Sequence, residues 1–171
     1  MNYTYNIISW YNMIDRNYYI IEFCKGKIFI YNIIKNELYI EFFNIQQESN
    51  FYEGFIYSKN NNDYLLSGSD NGLIYIWNIT NKTIFKIIDV NSQNTIKYQI
   101  CHINKWNKKY FYIYEFTQNC IIFIDFEQLK KVSCFKFKNN NIIENIKIIN
   151  YSDYGKSLII SNEENNIQIW N

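Results

Sequence analysis

The 171-residue chain contains no proline and no alanine, and it has only six leucines and one arginine. Because alanine and leucine are among the best helix formers, their scarcity argues against a helical protein. The most abundant residues are isoleucine, with 34 copies, asparagine, with 28, and tyrosine, with 17. Isoleucine, tyrosine and phenylalanine favour pleated, half-buried strands. The composition therefore predicts an all-β fold.

Net charge and metal-ligand patterns are also lacking. The chain has 17 basic and 16 acidic residues, and 48% of its residues are hydrophobic, which excludes a disordered segment and a nucleic-acid-binding tail. The single histidine, His102, and the four cysteines show no metal-ligand spacing. We interpret the cysteines as small hydrophobic residues in a reducing compartment, the cytoplasm or the nucleus.

Targeting and catalytic motifs are absent as well. The opening residues, MNYTYNIISWYNMIDR, show no signal-peptide pattern, and no run of about 18 apolar residues predicts a transmembrane helix. The sequence contains no G-x-S-x-G motif, phosphate-binding loop or dinucleotide fingerprint. The adjacent Glu163 and Glu164 belong to a predicted hairpin tip and would point apart. We therefore expect no enzyme, no metal and no cofactor.

A hairpin-like segment recurs along the chain. The stretch YLLSGSDNGLIYIWNIT contains two apolar runs separated by the turn residues Ser69-Asp70-Asn71-Gly72. Similar stretches are YYIIEFCKGKIFIYNII, YIYEFTQNCIIFIDFEQ and SLIISNEENNIQIWN. Their aligned anchor positions are spaced by 46, 48 and 45 residues, and they are Tyr31, Trp77, Asp125 and Trp170. Strand-containing repeats of this period indicate a β-propeller.

Each repeat is predicted to form a blade of four strands, a to d. In the second repeat, the strands are expected near Glu53–Ser58, Tyr64–Ser69, Leu73–Ile79 and Thr83–Asp89. The inner strands are apolar at both alternating positions, which predicts that neighbouring blades cover both faces. The predicted blades span residues 4–45, 50–89, 95–138 and 144–171 of a single domain, 1–171, and the last blade lacks its outer strand.

The segment GSDNGLIYIWN resembles the signature of the WD-repeat family, and SNEENNIQIWN is similar to a second copy. The resemblance implies a β-propeller with about four blades of four antiparallel strands, a partial ring built from four degenerate repeats. In the family, a Trp, a Ser or Thr, a turn Asp and a His form a polar network inside each blade. No Gly-His pair occurs here, and the turn-Asp positions hold Lys25, Asn71, Asn119 and Glu164. We therefore expect apolar packing and sheet hydrogen bonds to hold the blades together.

The resemblance also implies a non-catalytic protein–protein interaction scaffold. Its expected partners are other proteins or peptides, including a further propeller half or a second copy that completes the ring. The predicted a–b and c–d loops carry ten basic against five acidic residues. The candidate binding residues in these loops are Lys105, Trp106, Lys108, Lys109, Lys130 and Lys131. Such a lysine-rich face suggests an alternative, less favoured function, the binding of RNA or of a phosphoinositide at a membrane surface.

Overall fold

The structure is a computed structural model that describes residues 7–43, 50–90, 100–105, 109–115, 119–137, 143–151, 155–162 and 167–170. All the regular elements in these residues are β-strands, which confirms the predicted all-β class. They are β1 (Ile7–Asn12), β2 (Asn17–Cys24), β3 (Lys27–Asn32), β4 (Glu37–Phe43), β5 (Phe51–Lys59), β6 (Asn62–Ser69), β7 (Leu73–Asn78), β8 (Thr83–Asp89), β9 (Ile100–Lys105), β10 (Tyr110–Glu115), β11 (Cys120–Asp125), β12 (Lys131–Lys136), β13 (Ile143–Tyr151), β14 (Gly155–Asn162) and β15 (Ile167–Trp170).

The strands form four sheets in which consecutive strands are neighbours. The first sheet contains β1 to β4, the second β5 to β8, the third β9 to β12, and the fourth β13 to β15. In the second repeat, the predicted strands agree with β5 to β8 to within two residues. The fourth sheet has three strands in the part of the chain that the structure describes, in the order β13-β14-β15.

The chain divides into two compact units, Met1–Asn104 and Lys105–Asn171. The first unit contains the first two sheets and nearly all of β9, whereas β10 to β15 belong to the second. The predicted organisation as one domain stays a prediction.

The main core of the first unit lies between the first and second sheets. Trp77 of β7 is the largest fully buried side chain among the described residues, and its ring centroid lies 4.7 Å from that of Phe42 in β4. These large side chains interdigitate and remove an extensive apolar surface from water. The buried members of this core are Tyr19, Ile21, Phe23, Ile28, Ile30, Ile40, Phe42, Phe51, Leu65, Tyr75, Trp77 and Ile79.

The second sheet is buried on both faces, as the continuous apolar runs predict. Every residue of β7 from Ile74 to Asn78 is buried, and so is β6 from Leu65 to Ser69. Leu65, Tyr75 and Trp77 belong to the core between the first two sheets. Residues at the alternate positions, such as Leu66 and Ile74, point to the opposite face.

A register shift recurs between the third and fourth strands of three sheets. It falls between Ile30 and Tyr31 in the first sheet and between Ile76 and Trp77 in the second. In the third sheet it falls between Phe123 and Ile124, so Ile124 occupies the place of Trp77. The predicted anchor Asp125 is therefore wrong by one residue. The spacings between the anchors of the first three repeats are 46 and 47 residues.

One turn type also recurs, and it explains the role of Asp125. The first residue of each turn accepts, through Oδ1, a hydrogen bond from the main-chain nitrogen three residues later, at 2.9–3.5 Å. The residue four positions after the first residue of the turn has a positive φ of 51–58°. Asparagine and aspartate favour such turns because their short side chains bond to the nearby backbone. The first residues of these turns are Asn12, Asn32, Asn78 and Asp125.

Substituting Asp125 tests this turn. Its Oδ1 accepts hydrogen bonds from Glu127 N at 2.7 Å and Gln128 N at 2.9 Å, and the residue is buried. We expect Asp125→Ala to lower the free energy of unfolding by about 1–2 kcal/mol, as the loss of a side-chain cap does. Urea unfolding of the full chain measures the change. The control Glu127→Ala alters an exposed neighbour, and an equal loss in both variants would contradict the capping role.

The second sheet also contains polar contacts that supplement its apolar packing. Trp77 Nε1 donates to Ser67 Oγ at 2.9 Å, and both side chains are buried. Asn50, at the start of the sheet, donates through its main-chain nitrogen and its amide to the two carboxylate oxygens of Asp70, at 3.0 and 2.7 Å. The expectation of mainly apolar packing is therefore incomplete, because a buried Trp–Ser hydrogen bond and an Asn–Asp pair also stabilise this sheet.

Candidate interaction surfaces

The first sheet buries one face and exposes the other. Along β2, Tyr19, Ile21 and Phe23 are buried, whereas the residues between them are only partly covered. The strand pairing places the alternate residues of β1 to β4 on one common side, which we call the outer face. Six large apolar residues of this face are 36–63% exposed, and they are Ile7, Tyr11, Tyr18, Tyr31, Leu38 and Phe43.

The charged residues of the outer face are paired or contact aromatic rings. Lys27 Nζ lies 2.8 Å from Glu41 Oε1 and 4.8 Å from the ring centroid of Phe43. The Tyr31 hydroxyl lies 3.5 Å from Glu22 Oε2, to which it donates. Partial burial and the nearby Glu22 charge raise the pKa of Tyr31, so this hydroxyl stays protonated at neutral pH. The face therefore combines aromatic surface with a few fixed polar groups.

The sequence-based predictions did not include this face, although a signal for it exists. We expected inner strands to be covered on both sides, and this holds for the second sheet but not for the first. Glu22 and Lys27 occupy outer-face positions within β2 and β3, where a doubly covered strand would carry apolar residues. The strand of the second repeat that corresponds to β3 is β7, with the sequence LIYIWN, and it has no charged residue.

The structure brings three of the predicted lysines to the same end of the third sheet. Phe126 N donates to Lys109 O at 2.9 Å, and Asp125 N donates to Lys130 O at 3.0 Å, so the turn after β11 adjoins both lysines. Lys131 follows directly as the first residue of β12, and all three side chains are exposed. Lys105 ends β9, but its side chain, Trp106 and Lys108 lie outside the described residues.

Acidic groups accompany these lysines. Lys109 Nζ lies 5.2 Å from the ring centroid of Tyr110. The pKa of Lys109 is raised, mainly by a hydrogen bond with Tyr110 and further by the charges of Asp125 and Glu127. The two carboxylates offset part of the positive charge that an anionic ligand would meet.

Two features are absent from the described residues. These residues contain no group of three or more histidine, cysteine, aspartate or glutamate side chains that could hold a metal ion. No helix in this part of the chain has the length and apolar character needed to cross a bilayer.

Comparison with known proteins identifies the fold. No protein-family model and no curated protein matches the chain. The crystal structure of BBS1N in complex with ARL6DN, soaked with mercury, is similar with a TM-score of 0.72 and 10% identity, over 96% of this chain and 50% of that one. The form soaked with lead gives a TM-score of 0.70 and 10% identity, over 99% and 52%.

This chain thus spans about half the length of the solved β-propeller chains that it matches. At 10% identity the likeness shows the fold alone. It confirms the predicted fold class, antiparallel blades of three or four strands as in a partial β-propeller. The more specific assignment to the WD-repeat family stays a prediction.

Proposed function

We propose that this chain is a non-catalytic protein-interaction module whose outer face, on the first sheet, binds a partner protein. The observation that carries the proposal is the group of six large apolar side chains, 36–63% exposed, on one side of β1 to β4. Exposed large apolar side chains grouped on one face of a sheet are typical of interaction sites on soluble proteins. A propeller of the same fold, BBS1N, has been crystallised in complex with ARL6DN, which supports a protein partner.

The chemistry of the outer face favours a protein over a nucleic acid. Tyrosine and phenylalanine are enriched at the cores of protein interfaces, and this face presents both. Its charged residues are two glutamates and one lysine, Glu22, Glu41 and Lys27, a balance that would repel phosphates. The lysines near the turn after β11 are accompanied by Asp125 and Glu127, so no observation favours the phosphate-binding alternative.

Two further points rest on the sequence. The proposed lack of catalysis follows from the absence of catalytic and cofactor motifs. The cytoplasmic or nuclear location expected from the cysteines stays a prediction.

The double variant Leu38→Glu/Phe43→Glu tests the outer face. Both side chains are about half exposed, at 48% and 56%, so the substitutions should leave the fold intact. We expect the affinity for the partner to fall at least about tenfold, because the loss of each anchoring apolar contact costs more than about 1 kcal/mol. The partner is first identified by cross-linking to wild-type chain in nuclease-treated cell extract, and its affinity for each purified variant is then measured by calorimetry.

Ile34→Glu is the matched control. Ile34 is 64% exposed in the β3–β4 turn, so the substitution makes the same kind of chemical change away from the outer face. Equal affinity of the double variant and wild type would refute the proposed site. Binding that survives the double variant but is lost in Lys109→Glu/Lys130→Glu/Lys131→Glu, with a steep dependence on salt, would favour the phosphate-binding alternative.

A further inference from the structure

Two thiols lie on neighbouring strands of the third sheet. Cys120 is the first residue of β11, and Cys134 belongs to β12. Cys120 pairs with Lys136, and Ile122 pairs with Cys134. Because side chains alternate along a strand, both cysteines point to the same face of the sheet as diagonal neighbours. The strand pairing therefore places the two thiols close to each other within the native sheet.

The two thiols differ in their environments. Cys120 is fully buried, whereas Cys134 is exposed on an outer strand whose six residues are all exposed. Burial raises the pKa of Cys120 to about 12, and the neighbouring Cys134 and Glu115 add to this effect while Lys131 opposes it. Cys134 is therefore the thiol that a dissolved oxidant reaches first, and Cys120 can react only with a group held next to it.

We propose that Cys120 and Cys134 form a redox-sensitive pair that glutathione disulfide converts into an intrachain disulfide, which fastens β12 to β11. In the first step, the Cys134 thiolate attacks glutathione disulfide, forms a mixed disulfide and releases one glutathione thiolate. Cys120 then loses its proton and attacks the Cys134 sulfur, and the second glutathione thiolate leaves. Two protein thiols are oxidised, and one glutathione disulfide is reduced to two glutathione molecules.

The local backbone can accommodate the bond. A disulfide requires closer β-carbons than a diagonal pair normally has, so β12 must shift slightly toward β11. β12 stands at the end of the strand order of the third sheet, and its pairing with β11 already contains the register shift between Phe123 and Ile124. Such an irregularity interrupts the ladder locally, so fewer strand-to-strand hydrogen bonds oppose the shift of β12 there.

The full-length chain is incubated with glutathione disulfide, alkylated and digested with trypsin without reduction. Trypsin cleaves after Lys130 and Lys131, so the two cysteines leave on separate peptides unless they are bridged. We expect mass spectrometry to find a peptide pair linked through Cys120 and Cys134, which dithiothreitol separates. We also expect the main-chain amides of β12 to exchange with deuterium several-fold more slowly in the oxidised chain.

Cys134→Ser, at an exposed position, should abolish both the linked peptide and the slower exchange without affecting folding. Cys24→Ser removes a half-buried thiol of the first unit and should leave both unchanged. A chain that carries only glutathione on Cys134, or that links either cysteine to Cys24 or Cys101, would overturn the proposal. These outcomes do not depend on binding by the outer face, so the two proposals fail independently.

Discussion

Replacing Trp77 with alanine is expected to lower the free energy of unfolding of the first unit by about 3–5 kcal/mol, the usual cost of deleting a buried aromatic side chain. Trp77 is 1% exposed, and its ring contacts Phe42 and Phe51 at centroid distances of 4.7 and 5.9 Å. The substitution leaves a cavity between the first two sheets and removes the donor to Ser67 Oγ, which stays buried. Urea unfolding followed by circular dichroism measures the change.

Tyr31→Ala is the matched control for Trp77→Ala. Tyr31 occupies the same position of the first repeat, beside the same register shift, but it is 36% exposed on the outer face. We expect its substitution to cost about 1–2 kcal/mol, less than that of Trp77, because part of the Tyr31 side chain already faces water. Similar losses in the two variants would show that the repeat position, rather than burial, determines stability. Trp77→Phe keeps most of the packing and so isolates the hydrogen bond to Ser67.

The second large effect is expected at Gly54, where the first two sheets approach each other closely. A β-carbon at this position would lie 2.7 Å from Phe23 Cζ and would also overlap the main-chain oxygen of Leu66. Neither group can move freely, because Phe23 is buried in the core and Leu66 belongs to a paired strand. We expect Gly54→Ala to lower the free energy of unfolding by about 3 kcal/mol, at the upper end of the range for overpacking.

Gly68→Ala makes the same change in the neighbouring strand β6 and serves as the comparison. The three atoms nearest to a β-carbon at Gly68 would all belong to the side chain of Ile100, with Cβ at 3.2 Å and one methyl group closer. Because a side chain yields more readily than a backbone carbonyl, we expect a smaller loss than at Gly54. Thermal unfolding of the two variants measures the order, and a loss at Gly68 larger than that at Gly54 would contradict it.

The strands of the second repeat can be predicted because their signals are local. The turn residues from Ser69 to Gly72 mark one hairpin, and the apolar runs on either side extend to the observed ends of β6 and β7. The anchor of the third repeat is harder to place. Residues 121 to 124 are Ile-Ile-Phe-Ile, so a shift of one residue changes neither hydrophobicity nor strand propensity. Only the register shift beside Ile124 identifies the position that corresponds to Trp77.

The outer face is harder to predict from the sequence than the strands are. The exposure of Tyr18 and Leu38 depends on which sheet covers the first sheet, and strand periodicity does not contain that information. Loop positions do bring Lys109 and Lys130 to the same end of the third sheet, as the blade pattern predicts. The accompanying charge of Asp125 was not expected there, because the repeat alignment places Asp125 at a strand anchor rather than in a turn.

The β3–β4 turn offers a site for attaching a reporter. Asn32 and the positive φ of Asn36, 51°, define its two ends, and the three residues between them are exposed. Exposed turn tips tolerate inserted residues better than strands do. A short fluorescent or epitope tag grafted between Asn32 and Asn36 should therefore leave the pairing of β3 with β4 undisturbed. Such a label would lie at the end of the first sheet, where it would report the binding of a partner without blocking the outer face.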